Sequence, residues 1–539
     1  MRQLNILFLL PALLMLVLVG CEKKFEEYPA NPNVAGQQSN MPPSVLLNRI
    51  LFEIHQGGGV QDGQSGNVPE VPMYYLSRLN QYTTGLTFPH YGGSNRYDWT
   101  VSATTYNQVK NIIEMEKFAR RQGEENNAFL AIAKFLKAYN YIWMTERLGD
   151  IPMIESGLGM GNLEPSFDTQ EEIYAQCLTW LEEANEEFAA TMNAPAAEAV
   201  GLDGDIFMNN DLSRWQKAVN AYKLRVLISL SKRADDTPDL RIQERFNEVL
   251  SDPSSYPIYT SNEDHMEFQY VPPNNRYPSN ESFWLQLYPR ETTVSSTILD
   301  ITTGTEDPRT FIFATPADAD IEDGKDLDDF TAYRGTENGR PQTTLNNEAT
   351  DGIYSHLNFL RYAADQNAVP ENYIIIGYPE MCFNIAEAIN RGWAGGDDQD
   401  WYMRGINASL DFFQIADGTE LPISTPGGSQ HGSVNANVSN FLSHPDLVYK
   451  GGQDGLEQIL KQKYVSMWQN SGWEPFYNYR RTGIPEFSVG SGTNSQGRVP
   501  LRWQYPIKEI ENNGRNANEA IARQYGSDDI FGIMWLLQD

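Results

Sequence analysis

From Glu124 to Leu148 the apolar residues Phe129, Ile132, Ala133, Leu136, Tyr139 and Trp143 recur at i, i+3, i+4 and i+7, the period of an α-helix with one face turned inward. A strand would alternate at every second residue, so this stretch commits the chain to helices that pack on one another. The signal returns further along. Thr169 followed by Glu172 is a capping-box pattern that predicts a helix to about Ala190. Ser213 with Gln216 repeats it before Trp215 to Lys232, where apolar residues wrap most of the circumference and predict a central helix. Further helices are expected over Pro43–His55, Thr105–Arg121, Arg241–Leu250, Tyr378–Arg391, Asp400–Phe413 and Leu456–Asn470. Strand signals are short, at Tyr373–Ile376 and Glu267–Tyr270. The expected fold class is mainly α. Helix pairs joined by short turns suggest an α-solenoid, but the helix starts follow no clean tetratricopeptide period of about 34 residues, so any repeats are degenerate.

Between the two helical blocks, about 41–252 and 378–480, lies a segment from about 253 to 372 that is rich in Pro, Gly, Asn, Asp and aromatics and reads as irregular. A second loop-rich stretch runs from Ala416 to Gly455. Long loops on a helical scaffold carry binding surfaces more often than cores do. The expected organisation is a leader over 1–20, a tether over 21–40 and a single body over 41–539.

The leader is read from Met1-Arg2-Gln3 and the apolar run Leu4 to Val19, which is shorter than the roughly 20 residues a bilayer span needs. It ends in Leu18-Val19-Gly20-Cys21, which matches the bacterial lipobox, so Cys21 is expected to be the first mature residue and to carry lipid. Glu22 to Asn40 is polar, with no helical period, and reads as extended chain. Lys+Arg 40 against Asp+Glu 71 gives a net charge of -31, which repels phosphate backbones and argues against a nucleic-acid partner. Cys177 and Cys382 both fall in helical patterns, as small buried hydrophobes or, alternatively, as a disulfide.

Catalytic patterns are missing. The six histidines are scattered, with no His-x-x-x-His or Cys-x-x-Cys metal pattern, no Gly-x-Ser-x-Gly elbow and no phosphate-binding glycine motif. Carboxylate pairs for glycoside hydrolysis are available among the 71 acids, but nothing singles one out. Asp318-Ala-Asp320-Ile-Glu322-Asp323-Gly324 resembles a calcium loop, with its Gly one position late and no closing Glu; it leaves structural calcium as an option, and no other cofactor is expected. Asp397-Asp398-Gln399-Asp400 reads as a helix N-terminus. Aromatics are more informative. Trp143, Trp180, Trp215, Trp401 and Trp468 sit in helical patterns and are expected in the core. Trp99, with Tyr91 and Tyr97, and Trp284, with Tyr270, Tyr277, Phe283 and Tyr288, sit in polar irregular sequence. An aromatic face in a loop suits a sugar ring or a peptide side chain, with Arg78, Asn95, Arg96 and Arg290 near to supply hydrogen bonds. Arg78, Tyr91, Tyr97, Trp99, Trp284 and Tyr288 are therefore the expected ligand-binding residues, in a cleft between loops around 78–100 and 266–290. Packing of these loops onto the helices is the alternative role.

A series of short blocks then fits one pattern. Phe25-Glu26-Glu27-Tyr28 leads to Asn31-Pro32-Asn33, and Ala138-Tyr139 leads to Arg147-Leu148-Gly149-Asp150-Ile151-Pro152. Gly204-Asp205 precedes Trp215, Lys217, Asn220, Leu224 and Arg225, and Asp307-Pro308-Arg309 stands in the insert. Tyr378-Pro379-Glu380 runs to Ala386-Glu387-Ala388 and Arg391-Gly392-Trp393, with Tyr402, Ile406 and Ser409 after it. Gln462-Lys463-Tyr464, then Arg480-Arg481-Thr482-Gly483 with Pro485, then Arg498 to Glu509 and Asp528 to Trp535 complete the set. In this order the blocks resemble the SusD/RagB family of Bacteroidetes surface lipoproteins, and within it the SusD-like second subgroup. Met153, Pro379 and Tyr464 depart from the usual pattern. The resemblance implies a mostly helical fold with four degenerate tetratricopeptide units. It also implies non-catalytic capture of a glycan or peptide at the outer membrane, beside a SusC-like TonB-dependent transporter for which the lipoprotein is a lid. The family's shared blocks are structural and its ligand contacts lie in divergent loops, so the aromatic candidates rest on the loop argument alone. The competing function is a surface lipoprotein glycoside hydrolase.

Overall fold

The computed structural model describes residues 41–55, 75–86, 90–91, 106–278, 292–363, 367–493, 495 and 497–539. The leader, Cys21 and the tether lie outside the described residues, as do Tyr97, Trp99, Trp284 and Tyr288.

Six helices form the first block: α1 (Pro43–His55), α2 (Tyr106–Arg120), α3 (Ala128–Leu148), α4 (Gln170–Asn193), α5 (Leu212–Ser229) and α6 (Ile242–Ser251). Each packs on the next along the chain. The Thr169–Glu172 capping box is formed in both directions and opens α4. Helix α3 starts later than its periodicity suggests, at Asn127. That side chain accepts from the Phe129 N–H and donates to the Ala119 and Gly123 carbonyls at 2.9 Å, so the cap also ties α3 to the end of α2. The expected Ser213 cap of α5 is displaced to Asp211, whose carboxylate accepts the Ser213 and Arg214 N–H groups and the Ser213 hydroxyl. A carboxylate at the helix N-terminus also complements the helix dipole.

Helix α5 is central. It packs against α3, α4 and α6 and reaches the second helical block, α7 (Tyr378–Asn390), α8 (Asp398–Phe412) and α9 (Gly452–Ser466). It therefore buries even Lys223 and Arg225. The Asp397 cap of α8 is formed through Asp400 N–H. Helix α10 (Glu474–Thr482) follows the turn after α9.

The segments expected to be irregular hold short elements. Within 253–372 lie helices Ser296–Gly304, Thr310–Phe313, Asp318–Glu322, Gln342–Thr350 and Phe359–Tyr362, and within 416–455 a hairpin and helix Val438–Ser443. These helices are too short to show a 3.6 period in sequence. Strands are short and pair as three two-stranded antiparallel sheets: β1 (Thr83–Gly85) with β3 (Thr292–Val294), β2 (Met266–Phe268) with β4 (Tyr373–Ile376), and β5 (Glu420–Ser424) with β6 (Gln430–Asn435). Among the described residues no helix is long and apolar enough to cross a membrane.

Of the five tryptophans expected in the core, Trp215 and Trp468 are fully buried. Trp143, Trp180 and Trp401 are half-buried instead. Cys177 and Cys382 are both buried free thiols, not a disulfide. The Trp215 indole N–H donates to Asp205 at 2.8 Å, and that carboxylate also accepts the N–H groups of Phe207, Met208 and Asn210. Asp205→Ala would orphan the buried Trp215, Phe207 and Met208 donors at once, and urea denaturation should show a loss of about 2 kcal/mol.

Candidate ligand-binding site

The two loops that sequence singles out share one root. Strand β1 lies in the first and β3 closes the second, with Thr83 opposite Val294 and Gly85 opposite Thr292. Beneath them, Thr84 Oγ1 meets Asn338 Oδ1 at 2.5 Å, and Thr336 meets Thr293 at 2.8 Å. Gln81 joins this base to the C-terminal part of the chain: it donates to Tyr91 at 2.9 Å and to the Ser488 carbonyl, and accepts from Thr297.

Arg78 and Tyr91 belong to the base. Both are buried, at 3% and 1% exposure. The Arg78 guanidinium lies 2.9 Å from where a Cβ on Gly85 would stand, so a side chain there would have to push this flexible end aside. Tyr91 donates to the Leu79 carbonyl and packs edge-on against His90, whose imidazole burial keeps neutral. Tyr270 and Tyr277 are core as well, in a chain of rings that runs from His55 through Phe268, Tyr270 and Tyr277 to Tyr362. The Trp468 indole donates to the Tyr362 hydroxyl at 3.0 Å. Tyr97, Trp99, Trp284 and Tyr288, with Asn95, Arg96, Phe283 and Arg290, lie outside the described residues.

The calcium-like stretch is not a loop. Asp318–Glu322 is a turn of helix, and Asp320 is held by Arg334 at 2.5 Å and Lys325 at 2.9 Å, so its charge is already met. Among the described residues no group of three or more His, Cys, Asp or Glu could hold a metal ion.

A second concavity, which sequence reading did not find, lies in the helical scaffold and encloses about 480 Å³, including open solvent. Helix α3 lines it with Tyr139, Ile142, Trp143 and Glu146, one helical face. Helix α5 adds Tyr222 and Arg225, and the α9–α10 turn adds Ser471, Trp473 and Glu474. Behind it runs a network of buried ions. Arg225 grips Glu380 through Nε and Nη2 at 2.7 and 2.6 Å and donates to the Ile375 carbonyl. Arg480 donates to the Glu146 carboxylate at 2.9 Å, which also accepts from Tyr174. Burial still lifts the Glu146 carboxyl above its ordinary range. Arg481 and Arg391 both engage Glu387. Burial alone would raise this carboxyl, but Arg481 and Arg391 outweigh it and hold it at about 2.

The sequence profile of SusD-like proteins, a family described as starch-binding and associating with the outer membrane, matches residues 37–506. The chain belongs to the SusD-like family. Solved structures with the same fold include a SusD homologue from Bacteroides fragilis at 28% identity, covering 92% of this chain and 100% of that one with a TM-score of 0.77. A second protein, from Bacteroides vulgatus and described as an outer-membrane protein tied to nutrient binding, matches at 26% identity, 92% and 100% coverage and a TM-score of 0.74. Another SusD homologue from Bacteroides fragilis matches at 25% identity, 93% and 100% coverage and a TM-score of 0.72. No curated protein matches the chain.

In this SusD-like chain the sequence blocks converge. Arg225, Glu380, Glu387, Arg391, Lys463, Arg480 and Arg481 come from four separate blocks and pair behind the pocket. Trp143 and Tyr139 carried a readable signal, since aromatics at i and i+4 on one face with Glu146 at i+7 mark a face that is neither all core nor all solvent. Glu474 carried none.

Proposed function

We propose that this SusD-like protein is a lipid-anchored surface lipoprotein that captures glycan and passes it to a SusC-like TonB-dependent transporter, over which it acts as a lid. The family profile over residues 37–506 carries the reading. Residues 1–20 are the signal peptide, Cys21 the lipidated residue, 21–40 the tether and 41–539 one body. Capture takes place in the cleft between the loops rooted on β1 and β3, with Trp99 and Trp284 as stacking faces and Tyr97 and Tyr288 beside them. Arg78 and Tyr91 hold the base in position.

A binding role rather than hydrolysis fits the chemistry on hand. Glycoside hydrolysis needs two free carboxylates about 5 to 10 Å apart. On the scaffold pocket, Glu146 is engaged by Arg480 and Tyr174, which leaves Glu474 alone. His55 and His265, both lowered by burial to about 3, are neutral core groups and no source of a proton at physiological pH.

The test is retention of the protein on immobilised polysaccharides and peptide mixtures, with release of products followed in the same samples. Retention on a glycan without cleavage is expected, and Trp99→Ala with Trp284→Ala should abolish it while the far-UV dichroism stays helical. Unchanged retention in that double variant would reject the loop cleft, and released products would favour the hydrolase. Retention by peptide alone would replace the glycan.

A further inference from the structure

The acids of the buried network each have a partner, with one exception. Glu146 has Arg480 and Tyr174, Glu380 has Arg225 and Ser471, and Glu387 has Arg481 and Arg391. Glu474, the first residue of α10, lines the pocket, and its carboxylate makes no ion pair or hydrogen bond with a described residue. The spare cation, Lys463, is fully buried and donates to Asn478 at 2.7 Å. Of the three carboxylate or guanidinium side chains on the pocket wall, Glu146, Arg225 and Glu474, two are acids, and the charge of Arg225 is taken up by Glu380. Burial first, then Glu380 and Glu146, push the Glu474 carboxyl up to about 7 against the pull of Arg225 and Lys463.

An unmatched carboxylate at a solvent-reaching wall costs stability, and such a cost persists where a ligand completes the group. The rest of the wall says which ligand. Tyr139, Trp143, Tyr222 and Trp473 line the same wall as Glu474; the Arg147 guanidinium already lies 3.4 Å from the centre of the Trp143 ring, and ring faces attract a cation and cover its carbon frame. The free volume within the concavity is about 40 Å³, room for an ammonium head group with the rest of the ligand outside.

We propose that this pocket binds a ligand bearing a protonated primary amine, with the Glu474 carboxylate as its counter-ion and the rings of Tyr139, Trp143 and Trp473 as its walls. An amino sugar and a lysine side chain of a peptide both present this group. The proposal does not depend on whether the loop cleft takes glycan. Binding ionises Glu474, so the carboxyl proton passes to the buffer as the ammonium arrives.

Full-length protein in detergent would be titrated calorimetrically at about pH 7 with glucosamine, with Nα-acetyl-lysine methylamide, and with N-acetylglucosamine as the uncharged control. At least one amine should bind, with an enthalpy that changes with the ionisation heat of the buffer. Glu474→Gln should weaken that binding by about tenfold or more and remove the buffer dependence. Trp143→Ala should weaken it too, independently of any effect of Glu474→Gln on folding. Response to glucosamine alone would assign an amino sugar, and response to the lysine derivative alone a peptide. Binding of neither amine, binding that Glu474→Gln leaves unchanged, or equal affinity for N-acetylglucosamine would overturn the proposal. The Trp99 and Trp284 double variant should keep amine binding, which separates this site from the cleft.

Discussion

Arg481→Met is expected to destabilise the protein by about 3 kcal/mol or more, read as a lower midpoint in urea at neutral pH. The reason is what it leaves behind. Glu387 is fully buried, and Arg481 is the nearer of its two cations; the other, Arg391, is partly exposed. Removing one partner of a buried pair strands a charge, which costs far more than the pair itself contributes. Restoring neutrality with Glu387→Gln in the same chain should recover part of the loss, and that non-additivity marks the pair rather than the packing. The native Glu387 carboxyl is held at about 2. Its contribution is therefore fully present above the ordinary carboxylate range and fades as pH falls toward 2. Arg481→Met should blunt that acid-side loss. A cost below about 1 kcal/mol would place this pair among those that contribute little.

Glu474→Gln is expected to act with the opposite sign. The Glu474 carboxyl is raised to about 7 in the folded protein, so the native state prefers it protonated. The sign follows: the folded state binds more protons than the unfolded one between the ordinary carboxylate range and pH 7, and stability falls as pH rises through that window. The variant carries no such charge. It should match the wild type near pH 4 and exceed it by roughly 2–3 kcal/mol near pH 8, as thermal melts at the two values would show. A variant less stable than wild type at pH 8 would mean that Glu474 has a partner that stabilises its ionised form. A gain in stability together with a loss of amine binding is the trade a ligand-completed carboxylate implies.

Local order was legible because its causes are local. The period of α3, the Thr169–Glu172 box of α4 and the bounds of α1 all depend on residues within a few positions of one another, and the structure reproduces them. The Asp211 cap was missed because Asp211 and Ser213 are both good caps and only backbone geometry chooses between them. The short helices of the insert were missed because they take their stability from what they pack on.

The family, too, was legible from short blocks in order, since a motif is a property of sequence. Why those blocks contain so many charges was not. Glu380 meets Arg225 across 155 positions, and Glu146 meets Arg480 across 334. Among 71 acids, nothing in the chain says which will be buried, which will be matched and which, like Glu474, will line a pocket without a described partner. Arg78 and Tyr91 make the same point from the other side: polar sequence suggested exposure, and the pairing of β1 with β3 buried them. Helix period and caps are written in neighbouring residues, whereas burial and charge pairing arise only when distant segments share one low-dielectric space.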